Sequence, residues 1–164
     1  MAKYIPYTEY DAKMKYFKMS DFTRSQTAAK YGIENSPETW QMDNALTLYN
    51  EILHPMCEQW IQFCQSMNLP KPWSIKINSG IRNEEFTAAI GEDETSPHMH
   101  GYAVDIQPNN TQMMQFKNFC ISFLSDKSYD QFISEYQNKQ GVPSWIHISY
   151  MSHDGKQRKE NLTT

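Results

Sequence analysis

Ser96-Pro97-His98-Met99-His100-Gly101-Tyr102-Ala103-Val104-Asp105 is the stretch whose reading decides the fold. From Gly101 the residues alternate in bulk and polarity. Tyr102, Val104 and Ile106 fall on one face of a strand and Gly101, Ala103 and Asp105 on the other, because successive side chains point to opposite sides. The bulky set suits a core. The small set leaves room beside Asp105 for an ion and for whatever the ion binds. A second stretch, Trp145-Ile146-His147-Ile148-Ser149-Tyr150, repeats the pattern, with Ile146, Ile148 and Tyr150 inward and His147 outward beside Trp145 and Ser149. His98, Asp105 and His147 together make the donor set of a three-ligand catalytic zinc site holding one ion, whose fourth position is left to water. Taken singly, His98 reads as a turn residue, Asp105 as a solvated strand residue and His147 as an exposed histidine. Without a helical His-x-x-x-His or paired cysteines the spacing alone is a weak motif. His100 competes with His98, but it has the parity of Tyr102 and Val104, opposite to Asp105.

A chain of 164 residues fits one domain able to bury roughly two-thirds of its unfolded surface. It is read as a single unit, 1–164, with an arm over 1–19 and a charged, fraying tail over 152–164. A net charge of −4 lacks the strongly basic footprint of a nucleic-acid binder. No apolar run is long enough to insert in a membrane. Met1 to Tyr7 contains no apolar signal segment, so a cytoplasmic origin is expected. Cys57 and Cys64 lie on one expected helix, about 10.5 Å apart at 1.5 Å per residue, too far to bridge. With Cys120 they are read as reduced, buried thiols outside the metal set. A monomer is expected.

Along the chain, Ser20 is the expected N-cap of a first helix ending near Tyr31 at Gly32, and Ser36-Pro37-Glu38 opens a second. That second helix is the longest. Its stripe runs from Met42 through Leu46, Tyr49, Leu53 and Trp60 to Met67, with Pro55 set to kink it; His54 is structural. Ser74–Asn78 alternates as a strand, Asn83 to about Ile90 is a short helix, and 91–95 is an acidic loop in which Asp93 and Glu94 are solvated charges. The strand after the metal turn stops at Pro108. Asn109 or Asn110 caps a helix whose inner face is Met113, Phe116, Phe119, Cys120, Phe123 and Leu124. Asp130–Tyr136 and Trp145–Tyr150 form an antiparallel pair. The fold class is α+β, an antiparallel sheet carrying the metal site and flanked by helices.

These blocks, in this order, resemble the zinc peptidases of the D-alanyl-D-alanine carboxypeptidase type, the M15 group, which share a fold with the Hedgehog signalling domain. The resemblance begins with Ser25-x-Thr27-Ala28 and Gly32-Ile33-x-Asn35-x-Pro37 and continues through Ile52-Leu53-His54-Pro55 and Ser79-Gly80-Ile81-Arg82-Asn83. It peaks at Ser96-x-His98-x-x-Gly101-x-Ala103-x-Asp105 and returns at Asp130-Gln131-x-Ile133-x-Glu135 and Trp145-Ile146-His147-Ile148-Ser149. It implies a Hedgehog/DD-peptidase-like domain with zinc on His98, Asp105 and His147, and it selects His98 over His100. Relatives commonly carry an acid three residues before the last histidine. Here that position is Ser144, which cannot act as a base at neutral pH.

Glu135 is the substitute. It shares a strand face with Gln131 and Ile133 and pairs across toward His147, so it is the candidate catalytic base; the plainer reading is a solvated glutamate or one that orients His147. Arg82 is the candidate for the substrate carboxylate or the oxyanion, against a surface salt bridge to Glu84 or Glu85. Ser96 closes the metal turn or bonds substrate, and Trp145 lines the cleft. His153 reads as a tail residue. The expected function is zinc-dependent hydrolysis of the peptide stems of bacterial peptidoglycan, of D-Ala-D-Ala carboxypeptidase or L-Ala-D-Glu endopeptidase type. The expected setting is a phage or prophage lysis enzyme, or a cytoplasmic enzyme acting on free dipeptides or precursors. The alternative is a degenerate, non-catalytic module that keeps zinc and binds peptidoglycan or a protein.

Overall fold

A computed structural model describes residues 7–164. The first six residues of the expected arm lie outside them. The rest of the arm packs on the body: it holds α1 (Tyr7–Asp11) and buries Tyr10, Met14 and Phe17. The Tyr49 hydroxyl accepts from the Lys15 amide at 2.8 Å and fixes its path.

The expected first helix is two. α2 spans Met19–Thr23 and α3 spans Gln26–Lys30. Ser20 lies inside α2 and is not its cap; Lys18 holds that position, and its amide donates to the Asp21 carboxylate at 2.8 Å. Ser25 caps α3 by accepting from the Ala28 amide at 3.1 Å. Arg24 and Ser25 are extended, which separates the two. α4 (Thr39–Leu48) likewise starts later than expected. Its N-cap is Glu38, whose amide donates to the Gln41 side chain at 2.8 Å.

Pro55 breaks the long helix in a specific way. Proline has no N–H for the ladder, and the chain widens just before it into a π turn, Tyr49–Leu53, in which the His54 amide reaches back to the Tyr49 carbonyl. α5 (His54–Ser66) then continues the helical path with Pro55 in its first turn. His54 is structural as expected, held between the Tyr49 hydroxyl at 2.8 Å and Glu58 at 3.1 Å.

β1 (Ile75–Ser79) leads to α6 (Glu84–Ala89), capped by Asn83. β2 (Ala103–Pro108) follows the metal turn, and α7 (Met113–Leu124) follows β2. Gln112 rather than an asparagine is the N-cap of α7, though the Asn110 side chain still accepts from the Gln112 amide at 3.3 Å. β3 (Gln131–Glu135) and β4 (Trp145–Ser149) pair antiparallel as expected. The sheet order is β1-β2-β4-β3-β5.

β5 (Glu160–Thr163) corrects the expectation of a fraying tail: it pairs parallel to β3, making the sheet mixed. The tail is pinned by Arg158, which donates from Nε and Nη2 to the two oxygens of Asp130, both at 2.9 Å. Asp130 is buried, and its carboxyl lies below the usual range because burial, which raises it, is outweighed by the Arg158 hydrogen bonds and charge.

One face of the sheet makes the core. Ile77, Val104, Ile106, Phe132, Ile146 and Ile148 are buried against α5 and α7, where Trp60 meets Phe116 edge-on at 5.0 Å. Cys57, Cys64 and Cys120 are free and buried. The opposite face carries the polar residues of the site.

Candidate metal centre

His98, Asp105 and His147 converge. Asp105 and His147 are direct partners across β2 and β4, so register alone brings them to one face. His98 reaches them from the turn before β2. Its Nε2 lies 3.4 Å from Asp105 Oδ1, and His147 Nδ1 lies 3.0 Å from the same oxygen. One ligand atom from each residue falls within 4.8 Å of the other two, and all three residues are buried. Ligands on a tetrahedron of zinc bonds of about 2.0–2.1 Å sit about 3.3 Å apart, so the two measured separations suit such an ion.

The His98 ring is oriented to match. His98 Nδ1–H donates to the Gly80 carbonyl at 2.8 Å, which leaves Nε2 bare and turned to the site. On His147 it is Nδ1, 3.0 Å from Asp105 Oδ1, that is turned to the same point; its Nε2 is buried without a hydrogen-bond partner among the described residues and takes no part in the donor set. Burial holds the His98 imidazole below its ordinary pKa, against the pull of Asp105. Burial pushes the Asp105 carboxyl up, but the charges and hydrogen bonds of His98 and His147 outweigh it and leave it well below the usual range. A divalent cation takes histidine as the neutral imidazole and aspartate as the carboxylate.

The metal turn is held from several sides. Gln41 Nε2 donates to the Met99 carbonyl at 2.7 Å and Asn44 Nδ2 to the His100 carbonyl at 2.8 Å, both from α4. The Arg82 amide donates to the His98 carbonyl at 3.1 Å. Gly101 has φ +78°, and the Gln41 carbonyl occupies the place of its missing Cβ, so only glycine fits. Asn35 ties the approach by donating to the carbonyls of Thr23 at 2.9 Å and Ile81 at 2.8 Å. His100 stays out of the cluster, at 3.0 Å from the Glu94 carbonyl and packed on Trp40.

A cleft of about 360 Å³ opens over the three ligands. Arg82, Ser96, Glu135 and Trp145 all line it, together with Glu92. Glu135 pairs with Trp145 and lies diagonal to His147 on the same face. Burial raises its carboxyl pKa, helped by the negative charge of Asp105 and opposed by His147 and Arg82. Ser96 closes the metal turn through its carbonyl, which accepts from the Met99 amide at 3.0 Å. Trp145 packs against Tyr136 at 5.0 Å. Ser144 is exposed and donates to the Tyr136 carbonyl at 3.1 Å.

Arg82 differs from its expected plain reading. Its partner is Glu92, not Glu84 or Glu85: Nη1 donates to Glu92 Oε2 at 2.7 Å, while Nη2 donates to Ser79 Oγ at 3.2 Å and lies 3.6 Å from Asp105 Oδ2. Sequence reasoning passed over Glu92 because it sits in a loop with Asp93 and Glu94. Its separation of ten residues from Arg82 spans a helix and gives no periodic signal.

Fold and site together define the class: a small α+β domain with a candidate His-Asp-His metal centre at the foot of a cleft. Residues 15–149 match the model of the family described as Peptidase M15, and the chain belongs to that family. Its members are generally zinc-dependent. No curated protein matches the chain.

Proposed function

We propose that the protein is a zinc-dependent peptidase that hydrolyses the peptide stems of bacterial peptidoglycan, as a D-Ala-D-Ala carboxypeptidase or an L-Ala-D-Glu endopeptidase. The observation that carries this is the meeting of His98, Asp105 and His147 in one cleft with Glu135 and Arg82, in a chain of the M15 family. Zinc, when bound, supplies a water that ionises near neutral pH and a Lewis acid for the scissile carbonyl. His98 and His147 supply neutral nitrogens and Asp105 a charged oxygen to hold it. Glu135, as a carboxylate, takes the proton of the attacking water and passes it to the leaving amine. Arg82 offers guanidinium N–H groups to the oxyanion or to a terminal carboxylate. Ser96 bonds the substrate backbone at the rim, and Trp145 forms the wall.

A second reading, a non-catalytic module that keeps zinc and binds peptidoglycan or a protein, rests on Ser144 standing where relatives commonly carry an acid. One experiment separates the two: mass spectrometry of muropeptides after digestion of purified cell walls, with and without a chelator. Peptidase action releases new stem termini that disappear with chelation. Zinc-loaded protein that leaves every stem intact supports the binding module. With this reading goes the proposal that the chain acts as a monomer, either as a phage or prophage product that reaches the wall at lysis or as a cytoplasmic enzyme on free dipeptides or precursors.

A further inference from the structure

The Ser25-x-Thr27 block recurs in no step of the proposed chemistry, yet it borders the site. A second cavity of about 440 Å³ is lined by residues 24–27 and by Lys76 to Ser79 of β1. It shares Arg82, Asp105 and Trp145 with the cleft over the metal ligands. The two are arms of one groove that meet at Arg82. The metal-bearing face of the sheet runs into this second arm, since Lys76 on β1 is the direct partner of Gln107 on β2, and Gln107 shares Asp105's parity.

The charge of this arm is positive. Lys76 and Arg24 both line it, from two different segments of the chain, and both are exposed. Lys76 makes no salt bridge among the described residues. Arg24 holds Asp21 through Nη1 at 3.1 Å, which leaves its other nitrogens available. Asp105 is the one acid among the lining residues, and it belongs to the metal set. Asn78 Nδ2 donates to Gln107 Oε1 at 2.8 Å. The Thr27 hydroxyl is exposed on the same rim. An arm lined by the two exposed cations Lys76 and Arg24, with its lone acid committed elsewhere, suits an anion.

We propose that this second arm binds a carboxylate of the stem peptide away from its C-terminus, with Lys76 and Arg24 as the specificity-determining pair. This rests on the peptidase reading for the identity of the peptide, but the charge recognition stands on the groove itself. The substrate then lies along the sheet, with the cut bond over His98, Asp105 and His147 and its anionic side group between β1 and the Arg24–Thr27 segment. Lys76 touches no reacting atom.

The test compares two synthetic stem peptides on zinc-loaded protein. One has its internal carboxylates free, and the other has them amidated. KM is read for wild type and for Lys76→Glu, and Kd for both peptides is read by calorimetry in a Glu135→Gln background. The wild type is expected to show a lower KM and Kd for the free-carboxylate peptide. Lys76→Glu raises both constants for that peptide by about three- to tenfold, leaves kcat unchanged and leaves the amidated peptide unaffected. The gap closes at high salt. Equal constants for the two peptides in the wild type, or an equal rise for both in Lys76→Glu, overturn the proposal. If the wild type cuts neither peptide, the peptidase reading fails, and Kd still decides whether the arm recognises the carboxylate.

Discussion

The Nδ1–H of His98 donates to the carbonyl of Gly80 across 2.8 Å. This one bond couples the exit of β1 to the metal turn, setting both the tautomer and the aim of the imidazole. Gly80 is itself fixed from behind: a Cβ there would meet the Phe22 carbonyl oxygen at 2.6 Å and the Phe22 Cα at 2.9 Å. Backbone cannot yield as a flexible side chain can.

Gly80→Ala therefore displaces the Gly80 carbonyl and releases His98. Overpacking of this kind costs about 1–3 kcal/mol, read as a lower urea midpoint. Loss of the orienting bond weakens zinc binding by about 10- to 100-fold, read by competition with a chromophoric chelator. Unchanged zinc affinity in a destabilised protein would show that the bond does not position His98.

Glu135→Gln is expected to keep its zinc and lose about 10²–10⁴ in kcat, the usual contribution of a general base. The pH profile gives the sign. The base works deprotonated, and burial beside Asp105 raises its pKa. Activity therefore falls as pH drops through a value above the ordinary carboxylate range. The glutamine variant retains no such acid limb. A residual profile with the same limb would assign that limb to another group.

Arg82→Lys keeps the charge and loses the fork that spans Glu92, Ser79 and Asp105. A point charge does not reproduce planar, bidentate recognition. We expect kcat/KM to fall by about 10²–10³, the scale of a lost oxyanion donor, with zinc content unchanged. A variant as active as wild type would remove Arg82 from the chemistry.

Arg158→Ala leaves the buried Asp130 carboxylate without its partner and frees β5. The loss of charged hydrogen bonds costs about 1.5–3 kcal/mol, and amide exchange in 158–164 should accelerate. Asp130 has a depressed pKa in the folded state, so its contribution is present above the unfolded value of 3.8 and lost as pH falls through the folded one. The variant should therefore show a shallower acid-side loss of stability. An unchanged acid limb would mean the pair is silent.

The parts of this architecture that were legible in the sequence are those in which local pattern and tertiary demand agree. Alternation over Tyr102–Ile106 and Trp145–Tyr150 marks two strands whose inner residues Val104, Ile106, Ile146 and Ile148 are buried in the core, whereas Tyr102 and Tyr150 lie just outside the strand ends, half-buried and packed on each other at 5.9 Å; parity alone separates Asp105 and His147 from the core. β5 was hidden because Glu160–Thr163 carries almost no apolar signal; a distant ion pair and a parallel neighbour place it. Ser20 and Ser36 look like caps, yet Asp21 and Gln41 reach back to the preceding amides and move the helix starts. Pro55 announces a break but not its form, since a π turn or a kink would each relieve the missing N–H. The link from Arg82 to Glu92 depends on how a loop folds back, and no spacing encodes it.

Metal content with ligand-by-ligand removal tests the central claim most directly. Purified wild type and the His98→Ala, Asp105→Ala, His147→Ala and His100→Ala variants would be loaded with zinc, desalted and measured by elemental analysis. One zinc per chain is expected in the wild type and in His100→Ala, with near-complete loss in the other three. A wild type that holds no zinc, or zinc retained when any of His98, Asp105 and His147 is removed from a folded protein, would contradict the account.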